Sequence, residues 1–337
     1  MILITGGAGY IGSHLVLKLL KRNEDVIVYD NLSNSTLRNL KKINKTIRKK
    51  STFYFVKGDI RDAGRLEKLF KQFNITKVIH LAALKSIPNS FKDSLEYSSV
   101  NEVGSEVVFN LAVKYSVQTI IFSSSASVYA SVPKLKYVED DIICDTSSPY
   151  AKSKLTSEQY LHSLKKKDMS IDIIILRYFN VVGLDGSGIL TEENLQGCSL
   201  FPAIMDKVST KGYFEIYGRD YMTMDGTAIR DYIHVNDLAD THLLLMNQKV
   251  LDEQVRIFNV GTGEGYSVKQ IIDQFNWYLT DPIKFIYKSR RNGDLPRSVA
   301  DVTKLTSEIN WRPKYTLKNM VASTLLVKQN KTGKQYD

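Results

Sequence analysis

The sequence is poor in the features that mark several specialised protein classes. It has 2 cysteines in 337 residues, Cys144 and Cys198, which are too few for a disulfide framework and lack the spacing of a metal site. Its 19 glycines and 7 prolines exclude collagen-like and low-complexity chains. The longest apolar run, Ile171–Leu176, is interrupted by Asp172 and is far shorter than the roughly 18 residues of a membrane span. These absences indicate a globular protein with reduced thiols, no metal and no membrane partner.

Acidic residues are outnumbered by basic ones. The chain has 46 Lys and Arg against 36 Asp and Glu, a net charge of +10, which makes nucleic acid a partner to consider. The densest basic group, between Lys41 and Lys50, is typical of a solvated face, and no nucleic-acid motif accompanies it. We therefore expect no nucleic-acid partner. Because a strand and a glycine turn begin at Met1 in place of a secretory leader, we expect a cytoplasmic protein.

Short β-branched and apolar runs alternate with helix-like stretches in the first half of the chain. The candidate strands are Ile2–Thr5, Val26–Asp30, Thr52–Val56, Lys77–Ala82, Thr119–Ser123 and Ile171–Arg177. This alternation is typical of βαβ units and predicts an α/β fold, a doubly wound parallel sheet of the Rossmann-like kind. From Val181 the rhythm breaks. We therefore predict a first domain over 1–180, to which a segment at about 230–262 returns, and a smaller, irregular α/β substrate domain over 181–337.

A glycine-rich turn follows the first candidate strand. Gly7, Gly9 and Gly12 fit the pattern GxGxxG, and Gly6, Gly9 and Gly12 fit GxxGxxG. Glycine lets the backbone turn tightly and lets a pyrophosphate approach the N-terminus of a helix, here expected to begin at Ser13. A plain strand-to-helix turn is the alternative. The coincidence of strand, glycines, helix and a later acid favours a dinucleotide site.

The acid is Asp30, at the end of the second candidate strand. A carboxylate there can accept hydrogen bonds from the adenosine ribose hydroxyls and repels a 2′-phosphate, which favours NAD over NADP. Asp59, after the third strand, is similarly placed to meet the adenine edge. For both residues the alternative is an aspartate that only caps a turn.

Three further polar residues indicate proton transfer. Tyr150 and Lys154 are four residues apart at a predicted helix start, with Pro149 at its first position, so both lie on one helical face. A tyrosine that acts as a base near pH 7 needs a nearby cation, which Lys154 and an oxidised nicotinamide can supply. Ser125 ends a strand at the edge where open α/β sheets bind ligands. Together they predict an NAD-dependent enzyme that moves a hydride while abstracting a hydroxyl proton.

Over almost its whole length the sequence resembles the extended short-chain dehydrogenase/reductase superfamily and, within it, the UDP-glucose 4-epimerases, also called UDP-galactose 4-epimerases. The segments that carry the resemblance are Thr5–His14, Asp30–Leu32, Gly58–Arg61, Val78–Lys85, Ser123–Tyr129, Ser148–Tyr150 with Lys154, Leu176–Asn180, Asp225–Thr227, Arg230–Val235, Arg290–Pro296 and Asn310–Trp311. The segments up to Asn180 are typical of the superfamily, and the later ones are specific to the epimerases.

The resemblance implies an isomerase that interconverts UDP-glucose and UDP-galactose, a reaction of galactose metabolism. Tightly held NAD would take hydride from C4 of the sugar while Tyr150 removes the 4-hydroxyl proton and Ser125 hydrogen-bonds that oxygen. The 4-keto sugar would turn about its pyrophosphate link and receive the hydride on its other face. The first domain would bind NAD and the second the UDP-sugar.

The resemblance also implies the binding residues. Those for the cofactor are Gly6, Gly9, Tyr10, Ile11, Gly12, Asp30, Asn31, Ser35, Asp59, Ile60, Leu81, Ala82, Ala83, Lys85, Tyr150, Lys154 and Phe179. Those for the substrate are Lys85, Ser125, Tyr150, Tyr178, Asn180, Ser199, Leu200, Tyr217, Arg230, Arg291, Asp294 and Ser298. Two arginines among them are also chemically suited to clamp a diphosphate.

Position 298 bears on the size of the sugar. Epimerases restricted to UDP-glucose and UDP-galactose carry a bulky tyrosine there, whereas this chain has Ser298. The smaller side chain predicts that UDP-N-acetylglucosamine and UDP-N-acetylgalactosamine are also interconverted. Related 4,6-dehydratases carry Asp and Glu where this chain has Ala126 and Ser127, which favours epimerisation over elimination of water.

The chain departs from the family pattern at five positions. Val100 stands where the family has an asparagine that touches the cofactor, and Glu102 takes a usually apolar place. Ala130 replaces a glycine, Val181 replaces a proline, and Ser199 stands where the family has a substrate-binding asparagine. We expect slower turnover or looser substrate binding from these changes.

Two other functions remain open at this stage. One is the epimerisation of another UDP-sugar, of the uronic acid or xylose type. The other is a non-enzymatic NAD-binding sensor, which the complete Tyr150, Lys154 and Ser125 set disfavours, since a sensor needs no base. The family also implies a homodimer formed through the helices after Pro88 and after Pro149.

Overall fold

A computed structural model describes residues 1–46, 51–129, 134–141, 148–190, 199–248, 254–291 and 294–332, and side chains as far as residue 326. Ala130, Cys144, Cys198 and the end of the basic group at 47–50 lie outside the described residues. The chain divides into two compact units. The first comprises Met1–Ala130, Ile142–Tyr178 and Ala239–Phe258, and the second comprises Ser131–Asp141, Phe179–Leu238 and Asn259–Asp337. The domain boundaries given above stay predictions.

In the described part of the chain the strands are short and fall into three sheets. They are β1 (Ile2–Thr5), β2 (Val26–Asp30), β3 (Phe53–Lys57), β4 (Lys77–His80), β5 (Thr119–Ser125), β6 (Asp172–Tyr178), β7 (Asn180–Val182), β8 (Phe214–Tyr217), β9 (Ile229–His234), β10 (Arg256–Val260), β11 (Gly265–Ser267), β12 (Phe285–Lys288) and β13 (Arg297–Ser298).

The helices lie between these strands and after the last of them. They are α1 (Tyr10–Lys21), α2 (Arg38–Thr46), α3 (Ala63–Gln72), α4 (Ile87–Lys92), α5 (Ser94–Ser98), α6 (Gly104–Lys114), α7 (Pro149–Lys167), α8 (Leu200–Thr210), α9 (Val235–Asn247), α10 (Val268–Asn276), α11 (Thr303–Ile309) and α12 (Leu317–Thr332). A π-helical segment, Ser99–Val103, joins α5 to α6, and a 3₁₀ turn, Ala126–Val128, follows β5.

The first unit is built on a sheet with the strand order β10-β6-β5-β4-β1-β2-β3 in the described part of the chain. The pairs from β3 across to β6 are parallel. Its strands are nearly all apolar because helices cover both faces, and Leu3, Ile27, Phe122 and Ile173 are fully buried. The predicted doubly wound α/β class is confirmed. From β1 the chain adds β2 and β3 toward one edge of the sheet, and it then adds β4, β5 and β6 on the other side of β1. Folds of this kind bind ligands where the strand order reverses, here between β1 and β4.

Local sequence explains where two functionally important elements begin. The Ser148 hydroxyl accepts a hydrogen bond from the Ala151 N–H at 3.1 Å, and Pro149 is the first residue of α7, as expected for a capped helix start. The expectation that α1 begins at Ser13 is wrong, because α1 begins at Tyr10. The Ser13 N–H already donates to the Gly9 carbonyl oxygen at 2.9 Å, so the first helical turn lies inside the glycine motif.

The second unit contains smaller sheets, which agrees with the predicted smaller α/β domain. In one sheet β9 lies between β11 and β13 and also pairs with β7, and the other consists of β8 and β12. Phe201, Phe275, Ile216 and Val321 belong to the apolar core of this unit. Within the residues described, none of the helices combines the length and apolar character that crossing a bilayer requires.

Candidate active site

The glycine motif forms a tight cradle after β1. Gly6 has a φ of +70°, and a Cβ built there would lie 2.7 Å from the Ala82 backbone nitrogen. A Cβ on Gly12 would lie 2.4 Å from the Gly6 carbonyl oxygen. At Gly9 the only close atom would be the Gly6 oxygen at 3.3 Å. The turn therefore has no room for a Cβ at Gly6 or Gly12. It leads into the N-terminus of α1, where free N–H groups favour a phosphate.

Asp30 joins this cradle to the turn after β2. Its carboxylate accepts hydrogen bonds from the Ala8 N–H at 3.0 Å, the Leu32 N–H at 2.8 Å and the Ser35 hydroxyl at 2.9 Å. Asp30 thus caps the turn, which was the alternative for this residue. Binding of a ribose stays a prediction, and it is compatible with the cap because a carboxylate has about four acceptor sites.

Asp59 lies close to Asp30, joined through Asn31. The Asn31 side-chain amide donates to Asp59 Oδ2 at 3.0 Å. Arg61 donates to the same carboxylate from Nε at 3.0 Å and from Nη2 at 2.9 Å. This hydrogen-bonded guanidinium lowers the pKa of the Asp59 carboxyl to about 2. Ile60, beside it, is buried against Gly104.

The hydrogen-bonded pair of Asp59 and Arg61 predicts a measurable loss of thermal stability in acid. A carboxyl in the unfolded chain titrates near pH 4, so the lower folded pKa stabilises the protein above about pH 4, and this contribution is lost as the pH falls toward 2. We expect the thermal unfolding midpoint of the wild-type protein to fall more steeply between pH 4 and pH 2 than that of Asp59→Asn. Parallel curves for the two proteins in differential scanning calorimetry would contradict this assignment.

The loop after β4 closes the other side of the cradle. The Leu81 N–H donates to the Thr5 carbonyl oxygen at 3.1 Å, and the Ala82 N–H donates to the Thr5 hydroxyl at 3.4 Å. Ala83 and Lys85 follow in the same loop. The structure therefore brings Leu81 and Ala82 to the glycine turn, as predicted for residues along a bound dinucleotide.

The predicted catalytic residues meet at the carboxyl end of β5. The Tyr150 hydroxyl is hydrogen-bonded to the Ser125 hydroxyl, and Lys154, which is 4% exposed, donates to the Ser123 carbonyl oxygen at 2.8 Å. The Lys154 Nζ also lies 4.8 Å from the centroid of the Phe122 ring. Helix α7 therefore presents both side chains to the same end of one strand, as the four-residue spacing predicts.

The charge states of this group follow from burial. Burial raises the pKa of the Tyr150 phenol, and the hydrogen bond with Ser125 opposes that rise. Burial lowers the pKa of the Lys154 ammonium to about 7, against the opposing effect of Glu158. The pKa of Tyr150 is thus raised in the protein alone, whereas the predicted lowering involves the oxidised nicotinamide as well as Lys154. A base at position 150 needs a further positive charge beside it.

The π-helical segment connects the loop after β4 to helix α7. Asn101, 1% exposed, accepts from the Leu84 N–H at 2.8 Å and donates to the Leu84 carbonyl oxygen at 2.9 Å. It also donates to the Ser153 hydroxyl at 3.0 Å. Sequence analysis missed Asn101 and noted only the unusual residues Val100 and Glu102 beside it. The two departures from the family pattern on either side of Asn101 were the available signal.

Tyr178 completes the candidate residues of the first unit. Its hydroxyl is 2.7 Å from Nε2 of His242, which is fully buried on α9. Burial raises the pKa of Tyr178 well above its usual value, and Tyr150 adds to that rise. The tyrosine is therefore held as a neutral phenol that can exchange a hydrogen bond with His242.

The second unit brings four predicted substrate residues together. Arg230 donates to the Leu295 carbonyl oxygen at 2.8 Å and to Asp294 at 3.3 Å. The Asp294 N–H donates to the Arg291 carbonyl oxygen at 3.2 Å. Ser298 on β13 pairs with Arg230 on β9 in a parallel register, so the two side chains leave the same face of the sheet. Two arginines, an aspartate and a small serine thus form one polar cluster.

A stacked pair extends this cluster. The Arg291 guanidinium carbon lies 3.9 Å from the centroid of the Tyr217 ring at the end of β8. The Tyr217 hydroxyl donates to Glu215 at 2.7 Å. Stacking on an aromatic ring leaves the N–H groups of a guanidinium available in its plane, which suits it to an anionic ligand.

The remaining predicted substrate residues lie elsewhere in the second unit. Asn180 donates to the Asp231 carbonyl oxygen at 2.9 Å. The Phe179 N–H donates to the Val260 carbonyl oxygen at 3.0 Å. Ser199 is the residue before α8, which begins at Leu200, and its side chain makes no capping bond there. None of these contacts assigns the residues to a ligand, and their roles stay predictions.

Comparison with known proteins gives a consistent result. Residues 2–261 match the NAD dependent epimerase/dehydratase family. The chain belongs to that family. It is 39% identical to the UDP-glucose 4-epimerase of Erwinia amylovora over 325 residues, which are 96% of each chain. The predicted resemblance to this family of NAD-dependent isomerases is confirmed, and so is NAD as its cofactor.

Solved structures of the epimerase family agree with this result. The UDP-glucose 4-epimerase from Bifidobacterium longum, determined in complex with NAD+ and UDP, superposes with a TM-score of 0.91 at 37% identity, covering 98% of both chains. The UDP-Glc/GlcNAc 4-epimerase from Campylobacter jejuni superposes with a TM-score of 0.83 at 30% identity, covering 98% of this chain and 99% of that one.

Proposed function

We propose that the protein interconverts UDP-glucose and UDP-galactose by reversible oxidation at C4 of the sugar. The observation that carries this proposal is the group formed by Tyr150, Ser125 and Lys154, a phenol hydrogen-bonded to a hydroxyl beside a buried amine. That group suits the removal and return of a hydroxyl proton. The glycine cradle, in which added Cβ atoms would collide at Gly6 and Gly12, fits a closely approaching pyrophosphate.

We assign NAD to residues of the first unit, together with Phe179. The pyrophosphate would lie on the turn at Gly9, Tyr10, Ile11 and Gly12, where the N-terminus of α1 favours an anion. Asp30, Asn31 and Ser35 would hold the adenosine ribose, with Asp59 and Ile60 at the adenine. Leu81, Ala82, Ala83, Lys85 and Phe179 would line the rest of the cofactor. When bound, NAD accepts the C4 hydride and gives it back, and its nicotinamide adds positive charge.

The protein side of the reaction is proton transfer at one oxygen. The Tyr150 phenolate would take the proton from the 4-hydroxyl of the sugar, while the Ser125 hydroxyl donates a hydrogen bond to the same oxygen. The Lys154 ammonium would bind the nicotinamide ribose and stabilise the phenolate electrostatically. In the return step Tyr150 gives the proton back, so the protein ends in its starting state.

The polar cluster of the second unit would hold the uridine diphosphate. Arg230 and Arg291 supply charged donors for the two phosphates, and Asp294 fixes the direction of Arg230 through the hydrogen bond at 3.3 Å. Tyr217, stacked on Arg291, offers its ring to the uracil. We assign Tyr178, Asn180, Ser199 and Leu200 to the remaining contacts with the sugar and phosphates.

The direct test is conversion of substrate by the purified protein without added NAD. Incubation with UDP-galactose, followed by chromatographic separation of the 4-epimers, should yield UDP-glucose until equilibrium. Absence of conversion, even with NAD supplied, would overturn the proposal. Conversion only of UDP-xylose or of a UDP-uronic acid would support the alternative epimerases.

We further propose that the enzyme also accepts N-acetylated sugars. Ser298 is partly exposed and lies beside Arg230 in the sheet, so a large residue there would occupy space next to the proposed diphosphate clamp. The expected result is conversion of UDP-N-acetylgalactosamine by the wild-type protein. Ser298→Tyr should lower that activity at least about tenfold relative to activity on UDP-galactose, since a steric clash of about 1.4 kcal/mol suffices. An unchanged activity ratio would contradict the proposed role of Ser298.

We also propose a homodimer formed through α4, α5 and α7. Phe91 on α4 is 63% exposed and Leu95 on α5 is 83% exposed, which is unusual for such large apolar side chains. Light scattering at micromolar concentration should give twice the mass of one chain, and Leu95→Glu should give a monomer. A monomeric wild-type protein would contradict this proposal. A cytoplasmic location remains our expectation.

A further inference from the structure

A buried ion pair adjoins the proposed catalytic group in the first unit. Glu158 lies one helical turn after Lys154 on α7, and Arg177 lies on β6. Each residue is only 2% exposed. The Arg177 Nη2 is 2.7 Å from Glu158 Oε2, and Nε is 3.1 Å from Oε1, so the contact is bidentate. The proton transfer described above uses neither residue.

Glu158 has a second partner on the catalytic strand. The Ser124 hydroxyl donates to Glu158 Oε1. Ser124 separates Ser123, whose carbonyl oxygen accepts the Lys154 hydrogen bond, from Ser125, whose hydroxyl bonds to Tyr150. One carboxylate therefore fastens α7 to the segment of β5 that contains two partners of the catalytic side chains.

Arg177 is itself held in place from two sides. It pairs with Ser124 in the parallel register of β5 and β6. Its Nη1 donates to the Tyr129 hydroxyl at 3.2 Å, and its guanidinium carbon lies 5.0 Å from the centroid of the Tyr129 ring. A buried carboxylate that accepts hydrogen bonds on both oxygens has little freedom to move, so the side chain of Glu158 is held in one position.

The charge of Glu158 acts on Lys154 as well. Burial lowers the pKa of Lys154, and Glu158 raises it. Among the other titratable groups nearby, His80 on β4 is held neutral by burial, which lowers its pKa to about 3. Burial also lowers the pKa of His162 on α7, and the charge of Glu158 opposes that lowering. Arg177 contacts Glu158 directly, and Tyr129 contacts Arg177.

We propose that Glu158 is a positioning residue for epimerisation: held by Arg177, it fixes β5 against α7 and keeps Lys154 in its charged, hydrogen-bonded state. Only the expected change in kcat rests on the proposed function. The placement of Lys154 and its charge can be measured without any turnover.

Glu158→Gln tests the proposal because glutamine keeps the size and one acceptor oxygen but removes the charge. We expect kcat for UDP-galactose to fall by up to about 100-fold, since displacements near 1 Å can cost that much. The KM should stay within about twofold, because Glu158 is not among the proposed substrate-binding residues. The titration midpoint of Lys154 should fall by about one pH unit. It is followed by NMR of protein labelled at lysine Cε, with Lys154→Met to assign the signal.

A second buried ion pair of the first unit provides the matched control. Arg256 and Asp172 are 2.8 Å apart with side chains 4% and 9% exposed, and Asp172 is the first residue of β6, at the opposite end of the strand from Tyr178. Asp172→Asn should lower thermal stability in the same way as Glu158→Gln. It should leave kcat and the Lys154 titration unchanged.

Ser124→Ala separates position from charge and guards against a Glu158→Gln protein that does not fold. It removes the link to β5 but leaves the ion pair, so kcat should fall about tenfold, as for loss of one hydrogen bond to a charged group. The Lys154 titration should not move.

The proposal is overturned if Glu158→Gln loses stability like Asp172→Asn but keeps wild-type kcat and Lys154 titration. It is also overturned if Glu158→Gln does not fold and Ser124→Ala has wild-type kcat. If the wild-type protein epimerises no sugar, the proposed function fails. The Lys154 titration then still decides whether Glu158 sets the charge of that lysine.

Discussion

Replacing Tyr150 with phenylalanine is expected to reduce epimerisation of UDP-galactose by about 10²- to 10⁴-fold, the range typical for loss of a general acid–base. The substitution removes only the hydroxyl that bonds to Ser125, so folding should be preserved. Bound NAD should also be retained, because the glycine cradle and Asp30 are unaffected. The measurement is the initial rate of conversion together with the absorbance of released cofactor after denaturation.

Tyr160→Phe is the matched control for Tyr150→Phe. Tyr160 lies on the same helix, and its hydroxyl donates to Asn110 at 2.8 Å on the outside of the unit. The control should keep wild-type kcat. If Tyr150→Phe retains more than about a tenth of the wild-type rate, Tyr150 is not the base, because a positioned base contributes at least about 100-fold.

Gly12→Ala is expected to abolish tight NAD binding. The added Cβ would lie 2.4 Å from the Gly6 carbonyl oxygen and 2.6 Å from the Gly7 Cα, and both are backbone atoms that cannot rotate away. The turn must open, so the N–H groups at the start of α1 lose their alignment. We expect purified Gly12→Ala protein to contain almost no NAD and to be less stable by about 1–3 kcal/mol from overpacking.

Gly64→Ala controls for the general effect of adding a methyl group. Gly64 lies in α3, where the new Cβ would meet only Asp62 Oδ1 at 3.8 Å. This variant should keep its NAD and gain about 0.5–1 kcal/mol, because alanine is favoured over glycine inside a helix. Wild-type NAD content in Gly12→Ala would show that the cradle does not hold the cofactor.

Elements governed by local pattern were predictable from the sequence. Strands β1 and β2 have the predicted bounds because short, mainly apolar runs between turns leave little choice of where a strand begins and ends. The start of α7 was predictable because Ser148 and Pro149 are strong N-terminal signals. The proximity of Tyr150 and Lys154 followed from helical spacing alone. The predicted start of α1 was wrong because the first helical turn lies within the glycine motif, and glycine is a weak helix signal.

Features that depend on distant segments were not predictable. The Glu158–Arg177 pair joins a helix to a strand, and only the observation that Glu158 lies four residues after Lys154 hinted at it. The raised pKa of Tyr150 comes from burial, which a single sequence does not report. Likewise, the association of Ser298 with Arg230 requires β9 and β13 to pair, although some 65 residues separate them along the chain.

In the proposed reaction the protein oxidises and reduces the same sugar carbon without exchanging its hydrogen with water. The measurement that tests it most directly is conversion of UDP-galactose deuterated at C4 in ordinary water, with the product analysed by mass spectrometry and NMR. We expect UDP-glucose that retains deuterium at C4, because the hydride would leave and return on bound NAD. UDP-glucose that has lost the deuterium to solvent would contradict it.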